Sequence, residues 1–419
     1  MSNKIEMKKY RNSVLFITYD GLLDPLGASQ ILPYLYSIAE HPRHLHIISF
    51  EKTNRFKSGA DTLRYALQEK GIGWSPLSFT SRMGKLGKVW DLLRMYATAL
   101  ALQLRYKFGI IHCRSYQAMQ VGCFLKRFTR VKTIFDTRGL WVDDRIDRNI
   151  WPQDKLLYRL LYKYYKRVER KLIKCADSVV VLTKRMVPEI RKLTPQAYAS
   201  ISIIPCCADF DHFSNLSEAE KQAVRAELKI DKKALVLSYL GSLGTLYLFD
   251  DMLNLFESLV KKRDDVHLLF ITRDWTNEHE DILVKKGLAN LRDRIHVKSA
   301  ARDEVPLLLG ASDIMMNFIR PTYSMMACSP TKFAESLAIG IPTISSSGVG
   351  DVDAITQDLD AGVVIDLNDP RVFDSVTEDI NSILAKGGEG LRVRARKHLG
   401  LENAKRAYKK LYEDLESPG

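Results

Sequence analysis

Short apolar runs rich in Val and Ile alternate with longer amphipathic segments along nearly the whole chain. A strand covered by helices on both faces has no solvent side, so it reads as a continuous apolar run. Such runs predict strands at 13–19, 44–50, 109–112, 131–136, 177–182 and 201–204, and again at 234–240, 266–272, 294–297, 313–316, 341–345 and 361–365. Segments 26–40, 85–107, 153–174, 248–262, 302–311 and 329–339 carry apolar residues at helical spacing. Repeated strand–helix units build parallel sheets through right-handed crossovers. Two sets of them predict an α/β chain with two Rossmann-like, doubly wound domains.

The seam is expected within 205–232, where strand 201–204 ends at Pro205 and a polar helix, 216–228, precedes the next strand. The expected division is 1–210, 211–400 and a last helix within 401–419, which has no strand after it and can pack back on the first domain. The chain has 419 residues, 46% hydrophobic and 27% charged, which excludes a disordered, collagen-like or disulfide-framed protein. No apolar run reaches the roughly 18–20 residues of a spanning helix. Residues 1–11 are polar and basic and lead straight into strand 13–19, without the apolar region of a signal peptide, so a cytoplasmic location is expected. Cys113, Cys123, Cys175, Cys206, Cys207 and Cys328 show no C-x-x-C pair and no metal-ligand spacing, so reduced thiols are expected.

Charge is divided unevenly. Residues 1–215 hold 36 Lys/Arg against 18 Asp/Glu, a net +18, while the remainder holds 27 against 32, a net −5. The first half therefore favours an anionic partner or surface. Segment 153–174 sharpens this: Leu157, Leu161, Tyr165, Val168 and Leu172 share one helical face, and eight Lys and Arg surround it. It reads either as a domain helix with a solvated basic face or as a helix lying on an anionic bilayer. Segment 85–107 carries the same two readings.

Open α/β sheets bind ligands at loops beyond the carboxyl ends of their strands. The first strand runs into a loop holding Gly21, Asp24, Pro25 and Gly27, which is not the G-x-G-x-x-G dinucleotide fingerprint. Gly27 can let backbone approach a phosphate or sugar, or can serve a tight loop. Strand 234–240 leads to Gly241-Ser242-Leu243-Gly244-Thr245 and a helix, a turn suited to a diphosphate. The densest stretch is Ser329-Pro330-Thr331-Lys332-Phe333-Ala334-Glu335, continuing to Gly340-Ile341-Pro342. Ser329 or Thr331 can cap a helix with Pro330 in its first turn. Lys332 and Glu335 share a face, either as a surface ion pair or as a site, since a lysine at a helix N-terminus opposes the dipole unless an anion binds there. Ser347 to Asp351 is a further glycine loop, with Gly348 and Gly350, entering a helix.

The S-P-x-K-x-x-E-x-x-A-x-G-x-P pattern at 329–342 resembles the retaining, nucleotide-sugar-dependent glycosyltransferases of the GT-B fold, family 4 in particular. Ala176 to Val180, Ile204-Pro205 with Asp209 and Phe213, and Tyr239-Leu240-Gly241 carry the resemblance further, and the element order agrees from about residue 13 to 415. A subgroup with a first loop like Asp24-Pro25-Leu26-Gly27, an Asp136-x-Arg138-Gly139 segment and Ser-Pro-x-Lys is the most similar. The resemblance implies two domains facing a cleft, with a UDP- or GDP-linked sugar in the second. Glu335 would hold the ribose, and Lys332 would sit by the diphosphate as a catalytic charge. Gly241, Gly244, Ser329, Pro330, Gly350 and Asp351 would line the pocket, and Gly27 would close on it. His112 resembles the donor-sugar contact, or is a satisfied surface histidine. Asp136, Arg138, Trp141 and Arg114 lie where sugar stacking and hydroxyl recognition suit the acceptor side, with Arg138 also catalytic; the other reading is a salt-bridged loop.

The chain departs from the family at three points. Ala327 stands where the first Glu of a Glu-x7-Glu pair is usual, and Ser242 and Tyr247 stand where an Arg and a Lys are usual. Arg273, Arg320 and Lys332 are candidate replacements. No cofactor or metal is expected, because Asp209-Phe210-Asp211 and Asp351-Val352-Asp353 match Asp-x-Asp in spacing only. The function expected is sugar transfer from a nucleotide diphosphate to a glycan or lipid-linked acceptor, at the membrane surface. The rivals are a GT-B-fold nucleotide-sugar epimerase, which needs acid and base side chains around the sugar, and a basic nucleic-acid-binding protein. The latter leaves the glycine loops unexplained, and no nucleic-acid partner is expected.

Overall fold

The computed structural model describes residues 13–39, 44–80, 84–195 and 199–417; segment 1–11 and the end of the predicted helix 26–40 lie outside them. The chain divides into two units, Met1–Pro205 with Ala404–Gly419, and Cys206–Asn403. Residues just after Pro205 belong to the second unit because Ala208 exchanges backbone hydrogen bonds with Leu399 and Leu401, at 2.9 Å each.

The first unit runs β1 (Val14–Thr18), α1 (Pro25–Gln30), α2 (Leu32–Ala39), β2 (Leu45–Glu51), α3 (Thr53–Glu69), β3 (Gly73–Ser78), α4 (Gly84–Tyr106), β4 (Ile110–Arg114) and α5 (Ser115–Phe128). It continues with β5 (Lys132–Asp136), α6 (Trp141–Asp147), α7 (Leu156–Cys175), β6 (Ser178–Val181), α8 (Met186–Leu193) and β7 (Ser200–Ile203). The sheet order is β3-β2-β1-β4-β5-β6-β7, parallel throughout. Strand β3 was not expected from the sequence. It is a half-buried edge strand, Gly-Trp-Ser-Pro-Leu-Ser, without Val or Ile. An edge strand tolerates Pro76 and needs no apolar run, so the usual signal is missing.

The second unit runs α9 (Glu218–Glu227), β8 (Leu235–Leu240), α10 (Phe249–Val260), β9 (Val266–Ile271), α11 (Asn277–Lys285), β10 (Ile295–Lys298), α12 (Val305–Gly310) and β11 (Ile314–Asn317). Then come α13 (Thr331–Ile339), β12 (Thr343–Ser346), α14 (Val352–Leu359), β13 (Gly362–Ile365), α15 (Val372–Glu378), α16 (Ile380–Leu384) and α17 (Glu389–Leu399). Its parallel order is β10-β9-β8-β11-β12-β13. Strand β8 feeds two cores by alternation: Leu235, Leu237 and Tyr239 pack on one face, Val236 and Leu240 on the other. The last helix, α18 (Leu401–Glu416), crosses from the second unit into the first.

Helix α7 keeps most of the apolar face read from the sequence: Leu172 is buried and Leu161, Tyr165 and Val168 are half-buried. Leu157 is 71% exposed, and the buried residues are Glu169, Leu172 and Ile173. Polar contacts add to the packing of this inward side. Glu169 accepts from Tyr116 Oη at 2.5 Å and pairs with Lys166, while Asp143 accepts from Tyr162 and Lys166 at 2.9 Å.

Candidate functional site

Each sheet has one point where the chain leaves in opposite directions: between β1 and β4 in the first unit, and between β8 and β11 in the second. Ligands of open α/β sheets bind beyond the carboxyl ends of the strands at such points. In the second unit, β8 ends at Gly241, whose φ of +116° a side chain would strain. A Cβ there would also lie 3.0 Å from Lys332 Nζ. Gly244 is exposed with open space beside it. The loop then pairs with the end of β11: Arg320 N–H donates to Leu246 O at 2.8 Å, and Tyr247 bridges Ile319.

Helix α13 starts beside this turn. Its N-cap is Pro330, which has no side-chain capping bond. This corrects the expected cap: Ser329 Oγ instead accepts from Cys206 N–H at 3.1 Å, and Thr331 is the first helical residue. Lys332 Nζ donates to Tyr239 Oη at 2.8 Å and lies 4.2 Å and 3.9 Å from the ring centroids of Tyr239 and Tyr247. Among the described residues no carboxylate lies within 4 Å of it, so the surface ion pair with Glu335, the alternative reading, does not form. Burial lowers the Lys332 ammonium to about 7, against opposing influence from Cys328 and Glu335. Glu335, one turn on, is 9% exposed, with Arg302 at 3.9 Å. Burial raises its carboxyl to about 7, although Arg302 and Lys332 pull it down.

The glycine loop after β12 is tied inward. Gly348 N–H donates to Asp353 at 3.0 Å, and Gly350 N–H donates to Met325 O at 2.9 Å, with Asp351 leading into α14. Arg273 is exposed and donates to Ala300 O at 2.7 Å; Arg320 is exposed as well. Ala327 is fully buried. The second unit therefore gathers Gly241, Lys332 and Glu335, with an uncapped helix start between them. That set offers positive charge and backbone N–H groups to an anion, and a carboxylate to a pair of hydroxyls.

The first unit's candidates are placed differently. Gly27 is buried, and a Cβ there would lie 2.2 Å from Gly21 O, so its missing side chain makes room for the chain itself. His112 is 1% exposed, with Nδ1 2.6 Å from Tyr412 Oη and Nε2 3.7 Å from Asp136. It was expected at an open strand end or on the surface; α18 covers it instead. Asp136 also accepts from Tyr408 Oη at 3.1 Å and has Arg114 at 3.6 Å and Arg138 at 3.8 Å. Burial works to raise the Asp136 carboxyl, but Arg138, His112 and Arg114 outweigh it and hold it at about 2. Arg114 is 3% exposed and also donates to Asp20 at 3.2 Å. Trp141 packs with Trp151, Tyr165 and Tyr116 beneath Arg145. His112, Arg114 and Asp136 thus face one another inside the unit at ion-pair distance, with His112 Nε2 and Asp136 Oδ1 buried and lacking a hydrogen-bond partner.

Residues 55–207 match the family model for a glycosyl transferase 4-like domain, and residues 220–409 match the one for glycosyl transferases group 1. The chain is a glycosyltransferase of the GT-B type. Among curated proteins no sequence match is found. Among solved structures, sucrose-phosphate synthase from Thermosynechococcus elongatus is similar at 14% identity and a TM-score of 0.70, over 96% of this chain and 99% of that one. Anabaena HepE, in complex with UDP and glucose, is similar at 14% identity and a TM-score of 0.66, over 96% and 99%. WaaG, a glycosyltransferase involved in lipopolysaccharide biosynthesis, is similar at 16% identity and a TM-score of 0.61, over 96% and 98%. At these identities the likeness is one of fold.

In this glycosyltransferase, sequence reasoning missed Arg302, Tyr239 as a partner of Lys332, and Glu51. Buried Glu51 accepts from Leu22 N–H at 2.8 Å and Leu23 N–H at 3.2 Å, which sets the first loop. Its signal was an acid ending the apolar run of β2.

Glu335 yields a pH test. Its folded value is raised, so its contribution to stability is complete below about 4.5 and is lost as pH rises through about 7. At pH 8 the buried charge destabilises the wild type, and Glu335→Gln is expected to be more stable by about 1–3 kcal/mol. Denaturant unfolding should show the gain vanish near pH 5. Equal stability of the two proteins at pH 8 would contradict it.

Proposed function

We propose that the second unit holds a nucleotide-diphosphate sugar, UDP- or GDP-linked, and that the enzyme passes the sugar to a hydroxyl of a glycan or lipid-linked acceptor with retention of configuration. Cell-surface polysaccharide or glycoconjugate synthesis is the setting that this chemistry fits. The observation that carries the reading is Lys332, held at the Gly241 turn one helical turn before Glu335. Its ammonium faces where a diphosphate would lie, and Glu335 can accept from both ribose hydroxyls. Arg273, Ser329, Pro330, Gly350 and Asp351 complete the donor side. Anabaena HepE, solved with UDP-glucose, and the E. coli trehalose-6-phosphate protein, bound with UDP-2-fluoro glucose, support a nucleotide-sugar donor.

As the sugar's anomeric C–O bond breaks, the leaving diphosphate gains negative charge, which Lys332 offsets. The acceptor hydroxyl attacks from the same face and gives its proton to the departing phosphate, so no protein carboxylate forms a covalent bond. Nothing favours the epimerase: the acid and base groups of the first unit neutralise one another.

The same reading places the first unit against an anionic lipid surface on the cytoplasmic side. Helix α4 exposes Leu86, Val89, Trp90, Leu93, Leu100 and Leu104, and α7 exposes Leu156, Leu157, Leu160 and Tyr164. Helix α5 packs between them, and their crossovers run in one direction, so all three cover one face of the sheet. Asp91 and Glu169 are the sole acids of α4 and α7, and both are buried, while Lys88, Arg159, Lys163 and Arg167 are exposed. Apolar side chains rimmed only by cations match an anionic bilayer surface. Among the described residues no helix is long and apolar enough to cross a membrane.

Two results are expected. In a screen of nucleotide sugars for nucleotide release, Lys332→Ala lowers kcat by about 10²-fold, more than it raises KM; an unchanged kcat would remove Lys332 from the reaction. In vesicle sedimentation, the protein binds anionic but not neutral vesicles. Salt and Lys163→Glu with Arg167→Glu weaken the binding, since each cation contributes about 1 kcal/mol. Failure to bind anionic vesicles at low salt would refute the membrane contact.

A further inference from the structure

We propose that Tyr239 and Tyr247 are positioning residues that hold the Lys332 side chain against the Gly241 turn and keep its ammonium charged for the donor diphosphate. The proposal rests on the donor-site reading above. A carbonyl can only accept, so the Tyr239 hydroxyl is committed as donor to Ser242 O, at 2.5 Å. Its oxygen therefore offers Lys332 only lone pairs. One side chain thus ties the glycine turn to the lysine.

Both rings are fixed. Tyr239 is fully buried in β8, and Tyr247 is anchored through its backbone to Gly244 and Ile319. Each presents its negatively polarised face to Nζ at about 4 Å, a distance at which an ammonium is attracted. Gly241 leaves the room that this requires.

The restraint matters because the surroundings work against the charge. Lys332 is on the first turn of α13, where the helix dipole opposes a cation, and burial lowers its ammonium to about 7. The groups facing it are Tyr239 from β8, Tyr247 from the following loop, Cys328 ahead of α13 and Glu335 on α13, with Asp274 beyond Tyr239 and Arg302 beyond Glu335. The tyrosines are the two that contact Nζ directly, and both favour its charged form. A diphosphate binds the charged form, so the Lys332 contribution to donor affinity should be full below about pH 7 and fall above it, opposite in sense to that of Glu335, whose ionised form accepts from the ribose. Loss of either tyrosine should move that fall to lower pH.

The test is calorimetric binding of UDP-glucose and GDP-glucose between pH 6 and 9, a range over which the diphosphate diester keeps a constant charge. In a Glu335→Gln background, which removes the other group titrating near 7, affinity should fall with a midpoint near 7, and adding Lys332→Met should abolish the step. Tyr239→Phe and Tyr247→Leu should each lower the midpoint by roughly 0.5–1 unit, the size of a lost hydrogen bond or cation–π contact. Tyr247→Phe, which keeps the ring, should restore it. A structural role alone would weaken binding equally at every pH. Midpoints unmoved in folded Tyr239→Phe and Tyr247→Leu would overturn the proposal and leave the donor site standing. Binding of neither sugar nucleotide by the wild type would overturn both.

Discussion

The parallel pairing of β8 with β9 on one side and β11 on the other is the constraint on which the second unit depends. The chain leaves β8 in one direction and β11 in the other, so no crossover helix covers the gap beyond their carboxyl ends. The Gly241 turn, Arg320 and the start of α13 border that gap. The first unit repeats the arrangement at β1 and β4, where the loop held by Glu51 and the cluster around Asp136 stand.

The two units treat buried charge in opposite ways. Around Asp136, three cationic or imidazole groups and a tyrosine hydroxyl converge, and the carboxyl is held low. That cluster ties α18 to the sheet through Tyr408 and Tyr412. Around α13, burial pushes Lys332 and Glu335 toward their neutral forms, and neither has a strong ion pair. Such a site is poorly adapted to the empty protein and well adapted to a ligand that brings an anion to one end and hydroxyls to the other. The stability forgone at Glu335 and the capacity to bind there have a single cause.

Much of this was legible in the sequence because it depends on local pattern. Strands buried on both faces announce themselves as apolar runs, and every strand read that way is present. Lys332 and Glu335 were legible because three residues of helix place them together. What stayed hidden depends on contacts between distant residues. Edge strand β3 lacks an apolar run, and α7 turns hydrogen-bonded charges inward while leaving Leu157 in solvent. His112 was read as reaching a strand's open end, but its partners Tyr408 and Tyr412 lie some 300 positions away. Tyr247 looked like a loss of charge at its position until the fold laid its ring beneath Lys332.

The central claim is that the donor is anchored by its diphosphate at the start of α13. Comparing calorimetric affinities of uridine with UDP, and of guanosine with GDP, tests it most directly. A charged hydrogen bond to Lys332 together with free helix N–H groups should make one of the diphosphates bind at least about 100-fold more tightly than its nucleoside. Equal affinities within each pair would contradict the account.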